Sequence, residues 1–217
     1  MAIYFIVAVV AYLLGSIPFG YILMRVFRGE DVRAIGSGNI GATNVARKAP
    51  GLGVATLILD AAKGFCAVTV AMAIAHSRLN HFFPGYIDTY DVSPTLLMAL
   101  GAVFAILGHV FPVWLKFKGG KGVATGVGAF IALAPKAVLI VLLLFVVIVA
   151  AFRYISLGSI VATAAFPLFA WLLYRYQASP AVFAAMVAAS ALIIAKHHEN
   201  IRRLLAGTEH RFELKHR

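Results

Sequence analysis

Apolar residues fall in long blocks along this chain, and polar residues collect in the gaps between them. The first block, Ile3–Met24, has the length that crosses a hydrocarbon core of ~30 Å. Gly15, Pro18 and Gly20 interrupt its second half, which predicts a kink or equally well close packing against another helix. Leu52–Ala75, Thr95–Val113, Leu157–Tyr174 and Ala181–Ala195 read as further spans. From Val123 to Phe152 runs a mainly apolar stretch of thirty residues, too long for one crossing. Pro135–Lys136 divides it, predicting a short span (Val123–Ala134), a tight turn and a second span. The expected fold is all-α: a polytopic membrane protein of seven transmembrane helices, one of them short, forming a single domain over 1–217. The N-terminus opens straight into apolar residues, with no basic n-region and no A-x-A site, so Ile3–Leu23 is expected to span rather than to be removed as a signal.

Composition agrees. The chain has 217 residues, 62% hydrophobic and only 12% charged, about half the charged share of a soluble domain. A net charge of +11 would suggest nucleic acid for a soluble protein, but here the basic residues gather between spans, as the positive-inside rule expects. With the Arg25–Pro50 loop placed in the cytoplasm, fifteen of the nineteen Lys and Arg lie inside and Arg78, Lys136 and Arg175 outside, with Lys63 in the membrane. That sets the N-terminus outside and the C-terminus in the cytoplasm. Without internal repeats, the inverted-repeat architecture of transporters finds no support. One cysteine, Cys66, lies in an apolar run and can form no internal disulfide; no Cys/His spacing suggests a metal.

Polar chemistry is confined to a few places. Asp60 and Lys63 stand inside the second span, three residues apart on one helix face, where they can neutralise each other or serve a wet cavity. Gly36–Arg47 (GSGNIGATNVAR) offers Ser37, Asn39, Thr43, Asn44 and Arg47 to a phosphate; the same composition also suits a solvated loop. Gly108–Gly128 holds six glycines, three lysines and His109 within twenty-one residues. Glycine-dense backbone beside lysine suits an anion, because the chain can turn its N–H groups inward and approach closely. A basic connector between helices fits the glycines equally. The stretch is no Walker A loop, since Gly122 rather than Ser or Thr follows Lys121. Lys196–Glu209 has helical spacing that brings His197, Asn200 and Leu204 to one face, near Arg203. It can hold hydroxyls or lie on anionic headgroups. Together the residues indicate a cytosol-facing site for one or two phosphorylated ligands.

At these three places the sequence resembles the bacterial acyl-phosphate:glycerol-3-phosphate acyltransferase family. Ser37–Arg47 matches S-G-N-x-G-A-T-N-x-x-R. Gly108–Thr125 matches G-H-x-F-P…F-K-G-G-K-G-V-A-T, and His197–Glu209 matches H-R-x-N-I-x-R-L-x-x-G-x-E, with His198 where the family usually carries arginine. The resemblance implies transfer of a fatty acyl group from acyl phosphate to the sn-1 hydroxyl of glycerol 3-phosphate, giving lysophosphatidic acid and phosphate, the first acylation of phospholipid biosynthesis. By the same resemblance Ser37, Arg47, His197 and Asn200 are expected to be catalytic. Asn39, Thr43, Asn44, Lys118, Gly119, Gly120, Lys121, Gly122 and Thr125 would bind the phosphate or acyl phosphate. His109, Glu209, Asp60 and Lys63 would be structural near the site. The expected partners are the two substrates, membrane lipids and, as a candidate, the soluble enzyme that makes acyl phosphate. No cofactor, metal or nucleic acid is implied, and the expected location is the bacterial inner membrane with the site facing the cytoplasm. No histidine has an aspartate five residues on, as the H-x-x-x-x-D acyltransferases require. A transporter would carry more charge at midplane, and a phosphatase would need clustered carboxylates.

Overall fold

The computed structural model describes residues 2–76, 93–174 and 179–212. Residues 77–92, with Arg78, Asp88 and Asp91, lie outside the described residues, as do Arg175 and residues 213–217. Every regular element among the described residues is helical. Helices α1 (Ala2–Ser16) and α2 (Phe19–Arg28) form the first apolar segment, broken at Ile17–Pro18. Proline has no N–H to continue the ladder, which accounts for the break. Close packing occurs as well: a side chain at Gly15 would run into the Ala105 carbonyl, and one at Gly20 into the Ile40 carbonyl. Helix α2 runs a turn past the expected boundary at Met24, because Arg25 and Arg28 can extend the helix while their charges reach water. It stops where Gly29 adopts φ 68° and closes its N–H on Arg25.

The other helices are α3 (Ala42–Ala46), α4 (Pro50–His76), α5 (Pro94–Val110), α6 (Val123–Leu133), α7 (Pro135–Phe152), α8 (Ile155–Tyr174), α9 (Pro180–Ala195) and α10 (His198–Leu205). Proline at the first helical position and a serine before it start α5 and α9. Ser93 accepts the Leu96 N–H, and Ser179 accepts the Val182 N–H. Among the described residues, five segments are long and apolar enough to cross a membrane: Ala2–Arg28, Pro50–His76, Pro94–Leu115, Pro135–Phe152 and Ile155–Tyr174. The α9–α10 pair is a sixth candidate, bent by 56°. Helix α6, with 11 residues, extends only ~16 Å, about half a hydrocarbon core. Large apolar side chains stand exposed on these segments, among them Phe5 at 72% and Leu143 at 66%, which is stable only against lipid.

The chain forms two compact units, Met1–Leu133 and Ala134–Arg217. In the first, α1 packs on α5, and α4 packs on α5 and α6. Lipid tails are as apolar as leucine, so helices associate in a membrane by close backbone approach at small residues. The α4–α6 crossing shows this from both sides: a Cβ on Gly64 would meet the Thr125 carbonyl, and one on Gly128 the Ala61 carbonyl. At the end of this unit where α2 finishes, Met24, Val32, Ile40, Val45 and Leu115 make an apolar cluster under the polar loops. In the second unit α7 packs on α8 and α8 on α9.

Candidate active site

The Gly36–Arg47 motif is an ordered loop folded around one side chain. Asn44, 3% exposed, lies on the short helix α3. Its Oδ1 accepts the Ser37 N–H at 3.0 Å, and its Nδ2 donates to the carbonyls of Val32, Ile35 and Asn39 at 3.1, 2.9 and 2.9 Å. Asn39 in turn accepts the Gly41 N–H at 2.8 Å. Gly36 and Gly38 take the left-handed φ values of 54° and 68° that let the loop double back, a conformation other residues reach only with strain. Ser37, Thr43 and Arg47 are left exposed at the surface. Sequence reasoning treated Asn44 as a ligand for phosphate; the structure commits its whole amide to the loop. Beside it, Asp31 caps a 3-10 turn at Val32–Ala34 and pairs with Arg33 at 2.6 Å. The Arg33 hydrogen bonds hold the Asp31 carboxyl down at about 2.

The second motif leaves α5 at Phe111, whose carbonyl accepts the Tyr12 hydroxyl at 2.7 Å. Lys116 and Phe117, both at positive φ, turn the chain back. Gly119 then donates its N–H to Val110 at 3.2 Å, and Gly120 to His109 at 3.0 Å. These two N–H groups are engaged by the protein's own carbonyls, contrary to the expectation that they turn toward an anion. Their need for glycine is steric: a Cβ on Gly119 would strike the His109 carbonyl, and one on Gly120 the His109 ring. Gly122 differs, with φ 89°, and its carbonyl accepts the Gly126 N–H at 2.7 Å as the first bond of α6. The N–H groups of Val123, Ala124 and Thr125 are therefore the helix-start donors that lack an intrahelical acceptor and favour an anion. Lys118 is exposed and Lys121 half-buried on the approach to that helix start, while Thr125 is fully buried. Both loops rest on the same cluster, through Leu115 from one and Val32, Ile40 and Val45 from the other.

Beneath them, Asp60 and Lys63 form the expected pair, Nζ to Oδ1 at 2.8 Å, with side chains 3% exposed. They do not stand alone. Lys63 also donates to the Ile17 carbonyl at 2.7 Å, at the α1–α2 break. His109 Nδ1 lies 3.6 Å from Asp60 Oδ1.

In the second unit, the chain breaks at Lys196–His197 rather than continuing as one helix, so His197 sits before α10 and not on its face. Its Nδ1 donates to the Ile193 carbonyl at 2.8 Å, which leaves the lone pair on Nε2. Asn200 is buried and donates to Glu209 Oε1 at 2.6 Å. The same oxygen accepts Ser156 Oγ at 2.6 Å, and Oε2 accepts Arg203 Nε at 2.7 Å. Burial pushes the Glu209 carboxyl up, but hydrogen bonds from Ser156, Arg203 and Asn200 outweigh it and hold the group below its ordinary value. Past Glu209, Phe212 exchanges hydrogen bonds with Arg153, and Arg211 donates to the Tyr154 hydroxyl. His198, where the family motif usually has arginine, is exposed.

A family model described as glycerol-3-phosphate acyltransferase matches residues 5–207. Glycerol-3-phosphate acyltransferase of Syntrophotalea carbinolica is 44% identical, over 98% of this chain and 100% of its own length. That of Geobacter sulfurreducens is 46% identical, over 96% and 97%. The crystal structure of PlsY (YgiH), an integral membrane glycerol 3-phosphate acyltransferase, superposes in its glycerol 3-phosphate form with TM-score 0.79 and 38% identity, covering 97% of this chain and 96% of that one. Its lysophosphatidic acid form gives 0.77 and 36%, covering 97% and 95%. This chain belongs to the glycerol-3-phosphate acyltransferase family. It is a membrane-embedded acyltransferase with the all-helical fold of that family. The three motifs of this acyltransferase are the loops and helix ends described above. The contacts that Ser156 and Tyr12 make were not legible in the sequence. Their partners stand 53 and 99 residues away, and a lone Ser or Tyr in an apolar run carries no spacing signal.

Proposed function

We propose that this acyltransferase moves a fatty acyl group from acyl phosphate to the sn-1 hydroxyl of glycerol 3-phosphate. The observation that carries the reading is the match, along nearly the whole chain, to a relative solved in glycerol 3-phosphate and lysophosphatidic acid forms. The sn-1 oxygen attacks the acyl carbonyl carbon, the bond from that carbon to the bridging phosphate oxygen breaks, and phosphate leaves. The hydroxyl proton passes to His197 Nε2 or to a phosphate oxygen. Acyl phosphate is already activated, so no covalent enzyme intermediate is needed. Its phosphate suits the start of α6, where N–H donors converge beside Lys118 and Lys121, and its acyl chain can remain in lipid. Ser37 and Arg47, exposed on the Asn44-braced loop, supply a hydroxyl and a bidentate charge for phosphate. His197 and Asn200, held by the Ile193 carbonyl and Glu209, serve glycerol 3-phosphate.

The same reading makes the chain one acyltransferase domain with seven crossings, α6 being the short one. Its N-terminus lies outside and its three motifs face the cytoplasm of a bacterial inner membrane, as the distribution of Lys and Arg favours. The deciding assay is phosphate release from palmitoyl phosphate by purified protein in a lipid phase, with and without glycerol 3-phosphate. Acceptor-dependent release with lysophosphatidic acid formed is the expected result. Release without acceptor makes the protein a phosphatase, and turnover with acyl-CoA or acyl carrier protein alone refutes the donor. His197→Ala separates the two proton routes: near-normal turnover with a raised glycerol 3-phosphate KM assigns the proton to phosphate.

A further inference from the structure

We propose that Asp60, Lys63 and His109 form a buried positioning chain that sets the placement of the glycine–lysine loop, and through it the fit of the acyl phosphate. The inference rests on the acyl phosphate reading above. An ion pair kept only to neutralise itself would be closed within α4. This one reaches out in two directions. Lys63 ties the Ile17 carbonyl at the break of the first span, and its ammonium also stands 5.7 Å from the Phe19 ring that opens α2. Asp60 faces the His109 ring at 3.6 Å. That ring is the floor on which the loop lies, since no Cβ fits between it and Gly120.

The loop is tied to α5 at the same spot by the Gly120 and Gly119 N–H bonds to His109 and Val110. Its far flank is met by the same turn of α4, where Gly64, next to Lys63, abuts the Thr125 carbonyl one turn into α6. One turn of α4 thus meets the helix end that precedes the loop's lysines, at His109, and the helix that follows them, at Thr125. A buried ion pair contributes little to stability and can often be replaced by apolar residues without loss, whereas a charge at membrane depth usually marks function. Placement is what such a chain controls, and a shift of ~1 Å in a bound reactant can lower a rate on the order of a hundredfold.

The test replaces both charges together, Asp60→Leu with Lys63→Met, so that neither is left buried alone. Steady-state kinetics use palmitoyl phosphate and glycerol 3-phosphate, with thermal unfolding measured in the same detergent. The expected result is an unfolding temperature near that of the parent, a palmitoyl phosphate KM raised on the order of tenfold, and a glycerol 3-phosphate KM within about twofold. Unchanged KM for both substrates overturns the proposal and leaves a self-neutralising pair. Equal loss on both substrates together with a lower unfolding temperature also overturns it, in favour of a role in the fold alone. Should the double variant fail to fold, His109→Gln reads the same split, and an unsplit effect there sinks the idea. If the parent protein itself ignores palmitoyl phosphate but uses another donor, the donor reading has failed and takes this inference with it. That failure shows in the parent, before any variant is compared.

Discussion

Asn44 in the first unit and Glu209 in the second each organise one polar motif, and the two use opposite chemistry. Asn44 is neutral, and three of its four bonds go to backbone carbonyls within twelve residues; the fourth takes the Ser37 N–H. Glu209 is a carboxylate, and its partners are side chains drawn from α8 and α10. An amide can both donate and accept, so it can close a loop upon itself. An ionised carboxylate only accepts, so it must gather donors from elsewhere, and it does so with stronger, charge-assisted bonds. The amide therefore gives local shape that is indifferent to pH. The carboxylate gives a junction between elements whose strength depends on its charge.

The largest expected effect is at Asn44. Asn44→Ala removes the amide shared by the Ser37 N–H and three carbonyls, although Val32 and Ile35 still accept the Ile35 and Gly38 N–H groups. The loss is about 2–4 kcal/mol at roughly 1 per bond, with acyl transfer falling by about a hundredfold or more as Ser37 and Arg47 lose their scaffold. Thermal unfolding and phosphate release check both. Asn44→Asp sharpens the contrast, because it puts a carboxylate against the carbonyls of Val32, Ile35 and Asn39. It should be no better than alanine at neutral pH and partly recover where the carboxyl is protonated. An Asn44→Asp enzyme with normal activity at neutral pH would break the comparison.

Glu209→Gln comes next. It keeps the shape but loses the charge that Arg203 meets, costing about 1.5–3 kcal/mol. The glycerol 3-phosphate KM should rise on the order of tenfold, with the palmitoyl phosphate KM little changed. A loss shared equally by both substrates would show that Glu209 supports more than its own unit.

The pH dependence has a definite sign. The folded Glu209 carboxyl lies below its ordinary 4.5, so its contribution is complete above pH 4.5 and disappears as the pH falls through the lower folded value. Glycerol 3-phosphate affinity should weaken over that acid range in the parent and stay flat in Glu209→Gln. The smallest effect belongs to Asp31→Asn. Its pair with Arg33 is exposed, with side chains 33% and 39% accessible. Loss of under about 1 kcal/mol and unchanged kinetics are expected. Asp31, held at about 2, loses its contribution only below its ordinary 3.8, so it cannot mimic the Glu209 profile above that pH.

Hydropathy alone was enough to locate the long helices, because in lipid every crossing must be a long apolar run with its own hydrogen bonds complete. The division at Pro135 was legible because proline cannot continue the helix ladder; at Pro18 a kink stood level with close packing as an alternative, and Pro167 lies inside α8 without ending it. The three motifs could be read as phosphate chemistry from residue type and spacing, both of which are local. What each motif residue does within its loop depended on partners that spacing does not encode. Gly119 and Gly120 looked like donors for an anion, yet the His109 backbone and the Val110 carbonyl take their N–H groups. Asn44 looked like a ligand and is a brace. Ser156 belongs with Glu209 only because α8 and the chain beyond α10 meet. Asp60 and Lys63 were readable as a pair three residues apart, but not as a link to Ile17 and His109. Burial in lipid is a property of each segment and adds along the chain. A hydrogen bond requires two groups within about 3 Å, and when they are fifty residues apart only the packed helices can bring them there.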